Sequence, residues 1–193
     1  MRKAFQKGGE DINVNKSWFL IITSFLCVSF AFSIKTYDLN LLTYSQVHFH
    51  RLTELITMEI DSVQAKVYEY QQLSEFTQVT GAPFFICAFS NKQGIHIQSR
   101  HLLGNRFKDA LIHELIHYTI KKQYPVPSWF EEGLVCLVTQ ELYHVTDIIP
   151  MKNVERFDIR NAQNNWELVS YCLGCAEMVE ELLNSETVNT AIP

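Results

Sequence analysis

The sequence predicts an α+β fold: a small mixed sheet of about three strands packed on one long helix and followed by a helical half. Three observations predict it. Before residue 100, short segments either alternate polar and apolar residues or run continuously apolar, as strands do. After Asn105 the apolar residues recur at the three-to-four spacing of a helix face. Pro125 and Pro127 interrupt that spacing, so the second half is several helices and not one. A length of 193 residues suits a single domain. With 47% hydrophobic and 19% charged residues, the chain can bury a core without disulfides.

Taken in order, Lys35 to Thr43 reads as a short linker. Ser45 to His50 alternates, as a half-buried strand would. Leu52, Leu55, Ile56, Ile60, Val63 and Val67 fall at helical spacing and predict a helix from Leu52 to about Tyr68. Gly81-Ala82-Pro83 is a turn signal, and the apolar run Phe84 to Phe89 predicts a buried strand. Asn91 to Gly94 predicts a turn, and Ile95 to Ser99 alternates again as a strand. Asn105 is placed to cap a helix reaching about Lys122, with Phe107, Leu111, Leu115 and Tyr118 on one side. Ser128 and Glu131 have capping-box spacing, which predicts a second helix there with Glu131 reaching back to its start. A last amphipathic helix is predicted from about Glu167 to Leu183.

The N-terminus carries a separate signal. Trp18 to Ile34 holds no charge, and Arg2, Lys3, Lys7 and Lys16 precede it. This predicts a cytoplasmic segment at 1–16, a signal peptide or membrane anchor at 17–34, and a domain at 35–193 outside the cytoplasm. The apolar run lies between the length of a signal-peptide core and that of a spanning helix. Small residues around Ala31 and Ser33 suit cleavage, whereas the long leader suits an uncleaved single-pass anchor. From Ile34 onward there are 12 basic and 19 acidic residues, a net −7 with no basic stripe, which argues against a nucleic-acid partner.

The strongest chemical signal is His113-Glu114-Leu115-Ile116-His117. Residues four apart on a helix share a face, so both imidazoles can reach one metal ion at roughly 2.1 Å. Glu114, beside the first histidine, is placed to take a proton from a water on that ion. Two histidines and a glutamate on a helix that is otherwise apolar are costly unless an ion or partner satisfies them. A third protein ligand is needed, with a fourth position left for water.

Downstream stands Trp129-Phe130-Glu131-Glu132-Gly133-Leu134. In that order, the two motifs resemble the gluzincins, the peptidase-MA-like superfamily of zinc metallopeptidases. The resemblance implies that Glu132 is the third zinc ligand beside His113 and His117, with Glu114 as general base. It also implies that the strand before the first motif, Gly94 to Arg100, is an edge that pairs with an extended substrate. Tyr171 of Tyr171-Cys172-Leu173-Gly174 resembles the tyrosine that steadies the oxyanion in gluzincin aminopeptidases. A core-edge tyrosine with a solvated hydroxyl is the alternative. Two departures stand out. Only fourteen residues separate His117 from Glu132, so the helix connection must be tight. Cys136 stands where thermolysin-like enzymes have an aspartate that orients a histidine ligand, so the groups that orient the ligands come from elsewhere.

Other residues carry weaker signals. Cys172 and Cys175 form a lone C-x-x-C, which more often marks small core residues than a metal site. A bridge from either to Cys87 or Cys136 stays open. His48, His50, His96, His101 and His144 have no ligand spacing. The expected function is zinc-dependent hydrolysis of peptide bonds in a peptide or protein substrate, as an endopeptidase, since no G-x-M-E-N motif for a substrate N-terminus is present. The rival is a membrane-tethered, non-catalytic interaction module that keeps a structural or vestigial zinc site.

Overall fold

Four strands form one mixed sheet in the order β1-β2-β4-β3. In the computed structural model, which describes residues 34–56 and 59–185, β1 (Ile34–Leu39) runs antiparallel to β2 (Ala65–Tyr70). β2 runs parallel to β4 (Gly94–Gln98), with Val67 opposite Ile95. β4 pairs antiparallel with β3 (Ala88–Asn91), with Phe89 opposite His96. The 1–16 and 17–34 segments expected at the N-terminus lie outside the described residues, apart from Ile34. Among the described residues no helix is long and apolar enough to cross a membrane.

Between β1 and β2 lie the single turn α1 (Leu41–Tyr44) and α2 (Gln46–Ile56). α3 (Leu73–Thr80) ends at Gly81, whose φ of 69° is a left-handed cap that costs glycine little. The turn α4 (Arg100–Leu103) leads into α5 (Arg106–Gln123). α6 (Ser128–Thr139) and α7 (Asn165–Asn184) complete the helical half, with two 3₁₀ turns at Val154–Arg156 and Ile159–Asn161 between them.

Several sequence expectations need correction. Gln46 to His50 is helical, with Ser45 just ahead of the helix: Phe49, Leu52 and Ile56 form one buried face, and a short run of apparent alternation fits its start equally well. The helix expected from Leu52 to Tyr68 stops at Ile56, and Ala65–Tyr70 is a strand. β2 hydrogen-bonds to neighbours on both sides, and those ladders outweigh the local helical spacing of Val63 and Val67. The expected linker contains β1, an edge strand whose outward Lys35 and Thr36 hide its apolar pattern. In the run Phe84 to Phe89 only the last two residues join the sheet, and Phe84 is 75% exposed.

The segment Gly94 to Arg100 is not a sheet edge. β4 is internal, all five of its residues are buried, and the edge beside it is β3. Gln98 donates its amide hydrogen to the Cys87 carbonyl, so alternation along the antiparallel pair turns Phe89 and Asn91 toward β4. The backbone N–H and C=O of Ala88 and Ser90 therefore face away from it.

α5 packs on β3 and β4 with one side and on α6 with another. Phe107, Leu111, Leu115 and Tyr118 are buried as expected, and Ile112, Ile116 and Ile120 are buried as well. The most extensive helix contact joins α6 to α7. It depends on Gly133: a methyl group there would lie 2.4 Å from the Cys175 carbonyl oxygen and 2.5 Å from Val179 Cγ2. A second, smaller core beside it gathers Cys136, Val154, Tyr171, Cys172 and Cys175.

The start of α6 differs from expectation. Pro127 holds the N-cap position and no side chain caps the helix. Glu131 does not reach back to the helix start; it is 4% exposed and turned inward. Asn105 likewise stands at the N-cap of α5 without a side-chain cap, because its backbone is already helical as it leaves α4.

Candidate metal centre

His113 and His117 lie one turn apart on α5, with ring centroids 4.8 Å apart. Their Nε2 atoms face each other at 3.1 Å. Glu132, on the first turns of α6, closes the group: its Oε1 lies 3.6 Å from His113 Nε2 and its Oε2 3.3 Å from His117 Nε2. These three residues form a set able to hold a metal ion. An ion with tetrahedral bonds of about 2.0–2.1 Å separates its ligand atoms by about 3.3–3.4 Å. The three separations, 3.1, 3.3 and 3.6 Å, the last two measured from different oxygens of Glu132, lie near that length.

Each histidine is held from behind. His113 Nδ1 donates to Glu141 Oε1 at 2.8 Å, and His117 Nδ1 donates to Glu131 Oε1. A carboxylate accepts, so both Nδ1 atoms carry a proton and both Nε2 atoms are left facing Glu132, where either a proton or a metal ion can sit. Two ring nitrogens and a carboxylate converging on one point need a cation among them, a proton or a metal ion. A proton satisfies one pair along a line, whereas three groups offering one ligand atom each suit a metal ion. Lys121 Nζ, 3.1 Å from Glu131 Oε1, adds a cation behind His117. The same ammonium reaches Ser90 Oγ of β3 at 3.5 Å.

The electrostatics follow from this packing. Burial alone would push the His117 imidazole down, but the Glu132 and Glu131 carboxylates overrule it and raise its pKa to about 10. Burial alone would raise the Glu132 carboxyl, but His117 and His113 hold it down at about 2. The site is thus built for strong positive charge beside Glu132. His117, Glu131 and Glu132 are buried, and His113, 18% exposed in its side chain, marks the side open to solvent.

Glu114 is buried too. Its charge acts on His117 and on Cys87, the residue just ahead of β3. Among the described residues no hydrogen bond or ion pair engages its carboxylate.

Tyr171 is placed elsewhere. Its ring packs on Phe157 with centroids 5.0 Å apart, in the second core behind Glu132, and it is 2% exposed. Its hydroxyl interacts with Cys175. The four described cysteines, Cys87, Cys136, Cys172 and Cys175, are free thiols. Cys172 donates its S–H to Glu132 Oε1 at 3.2 Å. Glu132, Cys136 and Cys172 form a second set within metal-binding distance of one another. Its thiols are dry, and the hydrogen bond to Cys136 together with burial drives Cys172 well above the usual thiol range. His96 lies apart from the site, stacked between Tyr68 and Phe89 with its Nδ1 at 2.7 Å from the Tyr70 hydroxyl.

The structure therefore gathers His113, His117 and Glu132, with Glu114 buried on the same helix, and places Tyr171 outside that set. Sequence reasoning missed Glu131 and Glu141 as partners of the histidines and Cys172 as partner of Glu132. Glu131 could have been found, since it precedes Glu132 and can face α5 from the same helix turn. Glu141 had no periodic signal, because it lies past the end of α6. No protein-family model, curated protein or solved structure matches the chain.

Proposed function

We propose that the chain is a zinc-dependent metallopeptidase of the gluzincin type, with His113, His117 and Glu132 as metal ligands and Glu114 as general base. One observation carries this proposal: the two Nε2 atoms and the Glu132 carboxylate converge to within 3.1–3.6 Å of one another, with a buried glutamate, Glu114, next to His113 on the same helix. Two imidazoles and a carboxylate suit zinc, and three protein ligands leave a fourth position for a reactant. When bound, the ion acidifies a water molecule and polarises the scissile carbonyl.

The chain's own residues supply the rest. Glu114 takes the proton from the attacking water and passes it to the leaving amine nitrogen. Glu131 and Glu141 hold the two imidazoles in the tautomer that keeps Nε2 free. An extended peptide would lie along the free edge of β3, where the backbone groups of Ala88 and Ser90 can add a strand. Lys121 ties that strand to Glu131. We do not assign the oxyanion to Tyr171, since its hydroxyl is engaged with Cys175.

Glu114→Gln and Glu132→Ala test the roles together. Glu114→Gln should keep the zinc and lower peptide turnover by about 10²–10⁴-fold, the cost of a lost general base. Glu132→Ala should lose the zinc. Zinc content and cleavage of a diverse peptide mixture, with and without chelator, read both. A chain that binds zinc but whose turnover is indifferent to Glu114→Gln is a binding module and not a peptidase.

A further inference from the structure

Of the three ligands, the two histidines are oriented by carboxylates, and the Glu132 carboxylate has a different kind of partner. Cys172 on α7 presents its S–H to Glu132 Oε1 at 3.2 Å. A carboxylate in a buried site can only accept, so the sulfur carries the proton and donates. The contact is not an accident of a loose surface. Both residues are buried, and the close approach of α6 and α7 at Gly133 brings them together. Cys136, one turn after Glu132 on the same helix, lies behind the thiol and shares a hydrogen bond with it. Cys136 is the departure noted in the sequence, standing where thermolysin-like enzymes have an aspartate that orients a histidine, and here it backs a thiol that meets Glu132.

We propose that Cys172 is the positioning residue for Glu132: its thiol occupies Oε1 and turns Oε2 toward the metal. The proposal rests on the metal-centre reading above. Two features of the geometry favour it. Glu132 Oε2 is the oxygen nearer a histidine, at 3.3 Å from His117 Nε2, while Oε1 stands 3.6 Å from His113 Nε2. The donor is also neutral and weak, so it orients the carboxylate without drawing off the negative charge that a cation needs. A lysine or arginine in its place would compete with the metal for that charge. The sulfur therefore acts from outside the coordination sphere.

The test measures metal affinity and not turnover. The full-length chain, wild type and variants, is stripped of metal and titrated with Zn²⁺ against a competing chelator. Cys172→Ala removes the donor and should weaken zinc binding by about 10–100-fold, the usual cost of losing an outer partner of a ligand. Cys172→Ser restores a donor and should bind within a few-fold of wild type. If Cys172→Ala does not fold, as judged by melting of the metal-free form, the shape-matched pair Cys172→Thr and Cys172→Val takes its place, with the threonine variant the tighter binder. Equal affinity for the donor and non-donor variants overturns the proposal. So does an intense sulfur-to-cobalt charge-transfer band in the Co²⁺-loaded wild type that vanishes in Cys172→Ala or Cys172→Val, because the thiol is then itself a ligand. A wild-type chain that binds no Zn²⁺ overturns the metal centre as a whole, an outcome distinct from both.

Discussion

At the residue scale, the two carboxylates behind the histidines do the same task from different surroundings. Glu131 is 4% exposed and carries Lys121 as well as His117, whereas the Glu141 side chain is 32% exposed beyond the end of α6. A hydrogen bond in a dry site is stronger than one that water can replace. Glu131→Gln and Glu141→Gln should both weaken zinc binding, by up to about 10–100-fold, with Glu131→Gln the more damaging. Chelator competition on the two variants reads the order; a larger loss for Glu141→Gln would contradict it. The charges also set a pH dependence. The His117 pKa is raised to about 10, so its contribution to the metal-free fold is complete below about pH 6.5 and lost as pH rises through 10. The Glu132 pKa is lowered to about 2, so its contribution is complete above about 4.5 and lost as pH falls through 2. The metal-free chain gains most from this pair between about pH 4.5 and 6.5. Metal must displace the His117 proton, so the rise in melting temperature on adding Zn²⁺ should grow from pH 6.5 to 8.5. A rise that shrinks over that range would contradict the assignment.

At the element scale, α6 is the piece that completes the site. It supplies Glu132 to the candidate metal set and Glu131 to His117, and its contact with α7 brings Cys172 to Glu132. The short Tyr124 to Pro127 connection holds α6 against α5 and leaves the first turn of α6 facing the histidines. Gly133 sets the α6–α7 distance, since backbone of α7 occupies the space a Cβ would need. Gly133→Ala should therefore destabilise the fold by about 1–3 kcal/mol, as overpacking does, and should loosen zinc binding too because α7 carries Cys172 away. Denaturant unfolding with and without Zn²⁺ measures both effects. Unchanged stability would mean that the helices slide apart without consequence.

At the scale of the whole molecule, the sheet and the helical half share α5. Its apolar sides bury against β3, β4 and α6, and the remaining polar stripe is the one that faces the metal centre. This placement packs the helix that carries His113 and His117 against β3, an edge strand of the sheet among the described residues. The domain belongs outside the cytoplasm if the charge bias ahead of Trp18 acts as an export signal. A reporter fused after Pro193 should then be active only in its extracytoplasmic form, and activity confined to the cytoplasm would reverse the topology.

The sequence by itself determined what is local. His113 and His117 converge because four residues is one helical turn, and the stripe from Phe107 to Tyr118 is buried because it repeats at the helical period. The α+β class and the three long helices were legible for the same reason. Glu132, the third member of the candidate metal set, was legible only through its motif. Tertiary structure decided the rest. The contacts that orient the ligands join residues 14, 28 and 40 positions apart: Glu131 to His117, Glu141 to His113, and Cys172 to Glu132. No periodicity within a segment encodes such pairs. β2 looked helical and became a strand because its partners on both sides lie outside its own segment. Glu131 looked like a cap and became a support for His117 because a buried imidazole with a proton to donate binds a carboxylate more strongly than an exposed helix end does.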